Sequence, residues 1–261
     1  MDWKQVIAQK EMQIQDDKLV ISEKEMQNRA AEVERTPKDL RGALRADPKE
    51  TAIIGGIGEP AAAPEDFFGG NDPVKLAREY QKAGINAVSV WTKEHYLRGG
   101  NEYVAKMREQ IRIPILRRDF VIDPYQLYEA LVIGADAVLL MVQLLDDTAL
   151  ANFFGIANTL GLQCVVEVRN EEDAGRVGAF GCKLAAINNL DFATGKCDIA
   201  MTKKLRPLLP SDCTVIAENG IETKEDVQVV RKYGAQAVLV SQNVLASGKE
   251  KDIVRSLRSE V

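Results

Sequence analysis

Two glutamates in this chain are embedded in apolar runs: Glu167 in Val-Val-Glu-Val and Glu218 in Ile-Ala-Glu-Asn. Burial raises a carboxylate's pKa and makes its ionised form a stronger base, so each is a candidate for moving a proton to or from a bound molecule. The competing reading is structural, each acid serving as a partner of Arg118 or Arg169. Arg118, in Leu-Arg-Arg-Asp-Phe, and Asn188, in Ile-Asn-Asn-Leu, also follow apolar runs and could stabilise negative charge on a leaving atom. Trp91, closing Val-Ser-Val-Trp, could stack on a flat ring.

What is missing excludes other chemistries. Cys164, Cys182, Cys197 and Cys213 have no CxxC spacing, and the one histidine, His95, is remote from them in sequence, so no metal is expected. A Ser-His or Cys-His triad would have to use His95, and no GxSxG elbow accompanies it. Gly55-Gly56-Ile57-Gly58 lacks the GxGxxG order, and Pro60 and Pro64 prolong a loop where a phosphate-binding helix would start. The glycines read instead as vacated space. Glu59 reads as a solvated loop acid, His95 as a rim residue, and Asp119 as a structural partner of backbone or arginine. No cofactor is expected.

The candidates share one position relative to the elements that must hold them. Apolar runs recur at Thr51–Ile54, Ala87–Trp91, Pro114–Leu116, Ala137–Val142, Cys164–Val168, Leu184–Ile187, Thr214–Ala217 and Ala237–Val240. Each reads as a buried strand, and helical patterns lie between them, many ending in glycine just before the next strand. Eight strand–helix repeats with strands apolar on both faces imply a parallel sheet closed into an α/β (β/α)8 TIM barrel. Glu167, Glu218, Arg118, Asn188 and Trp91 then lie at the C-terminal ends of strands, where such barrels place their chemistry. The loop 59–72 is long enough for a lid, with Phe67 and Phe68 at its tip.

Residues 3–34 carry a helical pattern with one weak apolar stripe, and 37–46 reads as a second helix. Residues 1–48 are therefore expected to form a helical extension packed on a barrel of 49–261. The chain has 261 residues, 46% of them apolar, enough for one large core. Its net charge of −5 is spread without a basic run, so neither nucleic acid nor a membrane surface is expected as partner. No signal-like or membrane-spanning stretch is apparent, and a cytoplasmic monomer acting on a small aromatic molecule is expected.

The stretches AVSVWTKEHYLRGG, IPILRRDFVIDPYQ, VVEVRNEED, AAINNLDF, VIAENGIET and AVLVSQNVL, in this order, resemble the indole-3-glycerol phosphate synthase family from about Leu40 to the C-terminus. The resemblance implies a (β/α)8 barrel with an N-terminal helical extension. It also implies closure of an indole ring from a phosphorylated aminodeoxyribulose with release of carbon dioxide and water. The family's strand-5 glutamate, strand-6 asparagine and strand-7 glutamate are matched by Glu167, Asn188 and Glu218. Elsewhere the chain departs from the pattern. The family's general-acid lysine is Arg118, its strand-1 glutamate and lysine are Ile54 and Gly56, and a loop serine is Glu59. Its strand-6 arginine is Leu190, the serine after Glu218 is Asn219, and the phosphate-binding glycine and serine are Ser241 and Gln242.

Arginine, with a pKa above about 12, is a poor proton donor, so these replacements fall on the chemistry. With the barrel motifs intact, they suggest a repurposed or designed lyase using a buried carboxylate, Glu167 first, as base toward a flat aromatic substrate in a Kemp-type elimination. Trp91, Phe120, Ile54, Leu139, Met141, Leu190, Asn219 and Ser241 would line its pocket. The alternatives are a divergent indole-3-glycerol phosphate synthase, in which Arg118 holds the substrate and another group donates the proton, and a non-catalytic barrel that binds an aromatic ligand.

Overall fold

The computed structural model describes residues 3–58, 72–92, 100–192, 194–245 and 249–258. Glu59, Phe67, Phe68 and His95, and with them the suggested lid, lie outside the described residues.

Eight parallel strands close a barrel: β1 (Ala52–Ile57), β2 (Ala87–Trp91), β3 (Ile115–Arg118), β4 (Ala137–Met141), β5 (Gln163–Val168), β6 (Leu184–Asn188), β9 (Thr214–Glu218) and β10 (Ala237–Val240). The order around the barrel is β1-β10-β9-β6-β5-β4-β3-β2. A small antiparallel ribbon, β7 (Leu190–Asp191) with β8 (Lys196–Cys197), leaves the end of β6. The sequence pattern did not reveal it, because two-residue strands carry no periodicity.

Helices α1 (Trp3–Val20), α2 (Glu23–Ala31) and α3 (Leu40–Leu44) precede the barrel. The single helix expected over 3–34 is broken at Ser22, whose side chain accepts from Glu25 N–H and starts a new helix. Around the barrel run α4 (Pro73–Lys82), α5 (Gly100–Gln110), α6 (Tyr125–Val132), α7 (Asp147–Thr159), α8 (Glu171–Ala179), α9 (Ala200–Leu205), α10 (Lys224–Lys232), α11 (Gln242–Leu245) and α12 (Glu250–Arg258).

Strand alternation divides the core in two. Residues such as Ile53, Val88, Val138 and Val166 pack outward against the helices, while Ile54, Leu116, Leu139, Val165, Ala186, Ile216 and Leu239 fill the barrel interior. Above these, each strand's next inward residue forms the top layer of the barrel.

The glycines of β1 need a correction. The strand continues through them to Ile57, so Gly55 and Gly56 are ladder residues paired with Val240, Val88 and Ser89. Gly55 faces outward: a Cβ there would come within 2.6 Å of the Tyr80 ring on α4. Its missing side chain therefore makes room for a packed helix. Only Gly56, on the inward face with Ala52 and Ile54, lies toward the site.

At the opposite end of the barrel Asp136, fully buried ahead of β4, accepts from Arg35 Nη1 at 3.1 Å and Arg108 Nη1 at 2.6 Å. It also accepts from the backbone N–H groups of Lys38 and Ile115. One carboxylate thus ties the segment after α2, helix α5 and strand β3 together.

Candidate active site

The top layer brings four charged groups from three strands and a strand end into one cluster. Register sets this: Met141 pairs with Glu167, Asn188 with Glu218, and Trp91 with Arg118 around the closed sheet. Arg118 crosses the mouth from β3, its Nη2 lying 2.9 Å from Glu218 Oε1 and 3.4 Å from Glu167 Oε2. Arg169, just past β5, places Nη2 at 2.5 Å and Nε at 2.6 Å from Glu167 Oε1. Asn188 Nδ2 donates to the same oxygen at 3.1 Å. Asn219, held at a φ of 66°, donates from Nδ2 to Asn188 Oδ1 at 2.7 Å and so orients that amide.

Glu167 and Glu218 are both buried, 0% and 1% exposed, yet their environments differ in kind. Burial opposes the charge of Glu167, but Arg169 and Arg118 outweigh it and hold its carboxyl below the ordinary glutamate range. Glu218 shares only Arg118, and its Oε2 has no hydrogen-bond donor among the described residues. Burial, with the Glu167 charge beside it, pushes Glu218 up to about 7. The two carboxyls share the Arg118 guanidinium, and the charge of each disfavours that of the other, which suits one protonated and one ionised member. The acid most strongly held as an anion is therefore Glu167, the residue expected to be the base. Glu218 carries a proton near neutrality.

The aromatic candidates also sit differently from expectation. The Arg118 guanidinium lies 4.9 Å from the centre of the Trp91 ring, so it already covers Trp91, and Phe120 meets Trp91 edge-on at 6.0 Å. Met141 is in the top layer, whereas Ile54 and Leu139 lie one inward position deeper, as barrel core under the site. Leu190 leaves the barrel on the ribbon, where it is half-buried opposite Cys197. Ser241 is half-buried past β10, and the neighbouring Gln242 accepts Gly58 N–H at 3.0 Å.

Asp119 is fully occupied by structure: it accepts from Lys10 Nζ, Thr92 Oγ1, Arg117 Nη2 and Phe120 N–H. Among the described residues no group of three or more His, Cys, Asp or Glu could hold a metal ion. No described helix is long and apolar enough to cross a membrane.

Sequence reasoning left two inward-facing polar residues without a role. Arg169 was weighed only as a structural partner, although its place two residues after Glu167 on the same strand face signalled that it could reach the same carboxylate. Ser89 lies on the inward face of β2 between Gly56 and Leu116, 1% exposed, and its Oγ has no hydrogen-bond partner among the described residues. Its signal was the only polar residue within an otherwise apolar strand.

A closed eight-stranded parallel barrel, with two buried glutamates bridged by an arginine at the C-terminal ends of its strands, defines a TIM-barrel protein. The family model for indole-3-glycerol phosphate synthase matches residues 3–257. Among curated proteins, the indole-3-glycerol phosphate synthase of Acetivibrio thermocellus is 34% identical over 261 residues, covering 98% of both chains. That of Clostridium acetobutylicum is 35% identical, covering 92% of this chain and 90% of its own, and that of Geobacillus kaustophilus is 36% identical over 85% and 82%. The chain belongs to the indole-3-glycerol phosphate synthase family. Among solved structures, a thiamine phosphate pyrophosphorylase from Pyrococcus furiosus superposes with a TM-score of 0.61 at 18% identity, covering 84% of this chain and 96% of that one, a likeness of fold. These findings support the family lyase reading, set above as an alternative, over a designed elimination catalyst.

Proposed function

We propose that this chain is a divergent indole-ring-forming lyase, in which Glu218 takes over the proton donation that Arg118 cannot perform. The observation that carries this reading is the Glu218 carboxyl, buried, raised to about 7 and sharing Arg118 with Glu167, whose own carboxyl is held below the ordinary range. A group with that affinity holds a proton at neutral pH and can release it, which a guanidinium cannot.

In the ring closure, a carbonyl oxygen gains negative charge as the new carbon–carbon bond forms, and the Glu218 proton would neutralise it. Carbon dioxide leaves with its bonding electrons left on the ring, and the hydroxyl departs as water on taking a second proton, the one net proton the reaction consumes, from solvent. Glu218, ionised by the first donation, would accept the proton lost from carbon when the new five-membered ring becomes aromatic. Arg118 would hold an anionic group of the substrate and stabilise developing charge, a role for which its fixed charge suits it.

Indole fluorescence on incubation with the phosphorylated aminodeoxyribulose is the test. The wild type should form product, Glu218→Gln should lose at least about a hundredfold in kcat, within the usual range for a lost general acid, and Arg118→Lys should retain or raise activity. No product from the wild type at any pH between 5 and 9 would overturn the reading.

A second reading makes Glu218, in place of the expected Glu167, the base for elimination on a flat aromatic such as a benzisoxazole. Its support is the buried Glu218 Oε2, which has no hydrogen-bond partner among the described residues. It requires a rate that rises with pH through about 7 and vanishes in Glu218→Gln.

A further inference from the structure

We propose that Arg169, seated against Phe192 of the β7–β8 ribbon, is a positioning residue that pins negative charge on Glu167 and thereby leaves the pair's shared proton on Glu218. The turnover consequence rests on the reading above. The charge arrangement itself does not.

The geometry is asymmetric. Two arginines and two glutamates meet in the cluster, but they are not shared equally. Arg118 reaches both acids, whereas Arg169 contacts Glu167 through two nitrogens on one oxygen. A pair of carboxyls in contact retains one proton more readily than two separate ones, and the proton settles on the member with less positive charge beside it. Arg169 decides which member that is.

Beyond Glu167, Arg169 is itself held from two directions. Its backbone N–H donates to Asp173 Oδ2 at 3.0 Å, and Asp173 is fixed in turn by its N–H bond to Asn170, the cap of α8. Its guanidinium lies 4.0 Å from the centre of the Phe192 ring. The side chain is only 12% exposed, so its attraction to Glu167 is weakly screened. Phe192, at the turn of the ribbon, thus covers the cation that sets the charge of a residue deep in the barrel mouth.

The charged groups facing the pair among the described residues are few. Arg118 comes from β3, Arg169 from the end of β5, and Asp173 from α8 stands behind Arg169. Asn188 on β6 is neutral, and the top-layer residues Trp91 on β2 and Met141 on β4, with Leu239 on β10, are uncharged.

The test is a carboxyl titration of the ligand-free protein, by 13C NMR of 13C-glutamate-labelled chain, with Glu167→Gln and Glu218→Gln assigning the two signals. In the wild type the Glu218 signal should titrate near 7 and the Glu167 signal well below it. Arg169→Gln should raise the upper titration by about one unit or more, tenfold in proton affinity, and Glu167 should then titrate in that upper step as well. Arg169→Lys should restore most of the wild-type pattern, which a merely structural role would not require. Phe192→Ala, a change on the half-buried ribbon, should move the titration in the same direction by less, and it keeps the proposal open to failure if Arg169→Gln does not fold. Upper titrations unchanged within about 0.3 unit in the folded variants, a factor of two in affinity, would overturn it. Since no substrate is present, failure to form indole would leave this outcome standing.

Discussion

Lys10 Nζ lies 2.7 Å from Asp119 Oδ2, and both side chains are almost wholly buried, so α1 is fastened to the C-terminal end of β3 one residue from Arg118. A second, half-exposed contact, Lys18 to Asp123 at 2.8 Å, repeats the attachment two turns further along. Lys10→Met should cost about 1.5–3 kcal/mol, the worth of a hydrogen bond to a charged group, and no more, since Asp119 keeps Arg117, Thr92 and the Phe120 N–H. Hydrogen exchange should show faster opening of residues 3–20 with the barrel strands unchanged. Equal protection of α1 in both proteins would show that the contact does not hold the helix.

The carboxyl pair predicts an unusual dependence of stability on pH. Glu218 has a folded pKa of about 7 against 4.5, so the folded protein binds more protons than the unfolded chain between these values. Its contribution is fully present below the unfolded value and is lost as pH rises through about 7. Glu167 has the opposite sign, its contribution present above 4.5 and lost as pH falls through its depressed folded value. Urea midpoints should therefore decline from about pH 5 to about pH 8 in the wild type, and Glu218→Gln should flatten that decline.

Asp136 offers a sharper stability test. Asp136→Asn removes the charge that Arg35 and Arg108 both face while leaving an isosteric side chain, and breaking a buried ion pair in this way costs about 3–5 kcal/mol. The measurement is the equilibrium unfolding free energy. A loss below about 1 kcal/mol, the worth of an exposed pair, would mean that the cluster is open to water in solution.

Thiol reactivity should be split one against three. Cys197 is exposed on the ribbon, whereas Cys164, Cys182 and Cys213 are buried, and burial pushes the Cys164 thiol up to about 12. Cys182 Sγ donates to the Leu184 carbonyl and Cys213 Sγ to that of Thr214, and the two thiols' mutual influence raises the Cys182 pKa and lowers that of Cys213, but neither thiol is open to solvent. An aromatic disulfide reagent should titrate one thiol quickly and the other three only with unfolding. Fast loss of two or more would contradict the packing at the N-terminal ends of β5, β6 and β9.

The apolar runs and their glycine-terminated helices made the barrel legible in the sequence. Buried parallel strands must be apolar on both faces, and a helix must end where Gly84 or Gly134, at φ of 88° and 98°, turns the chain into the next strand. Strand alternation also brought Glu167, Glu218, Arg118 and Asn188 to one end of one layer. The motif order indicated the family. The ribbon and the outward face of Gly55 were not legible, since the first has no period and the second depends on Tyr80 of another element.

The roles within the cluster were decided only by the tertiary structure. Sequence placed two acids and two arginines at strand ends but could not say which arginine would reach which acid, because that follows from barrel register and side-chain direction. Arg118 turned out to be shared, Arg169 to belong to Glu167, and Glu218 to be left with the weaker share. A carboxyl's proton affinity is set by the charges within a few ångströms of it, and those distances exist only once the sheet has closed.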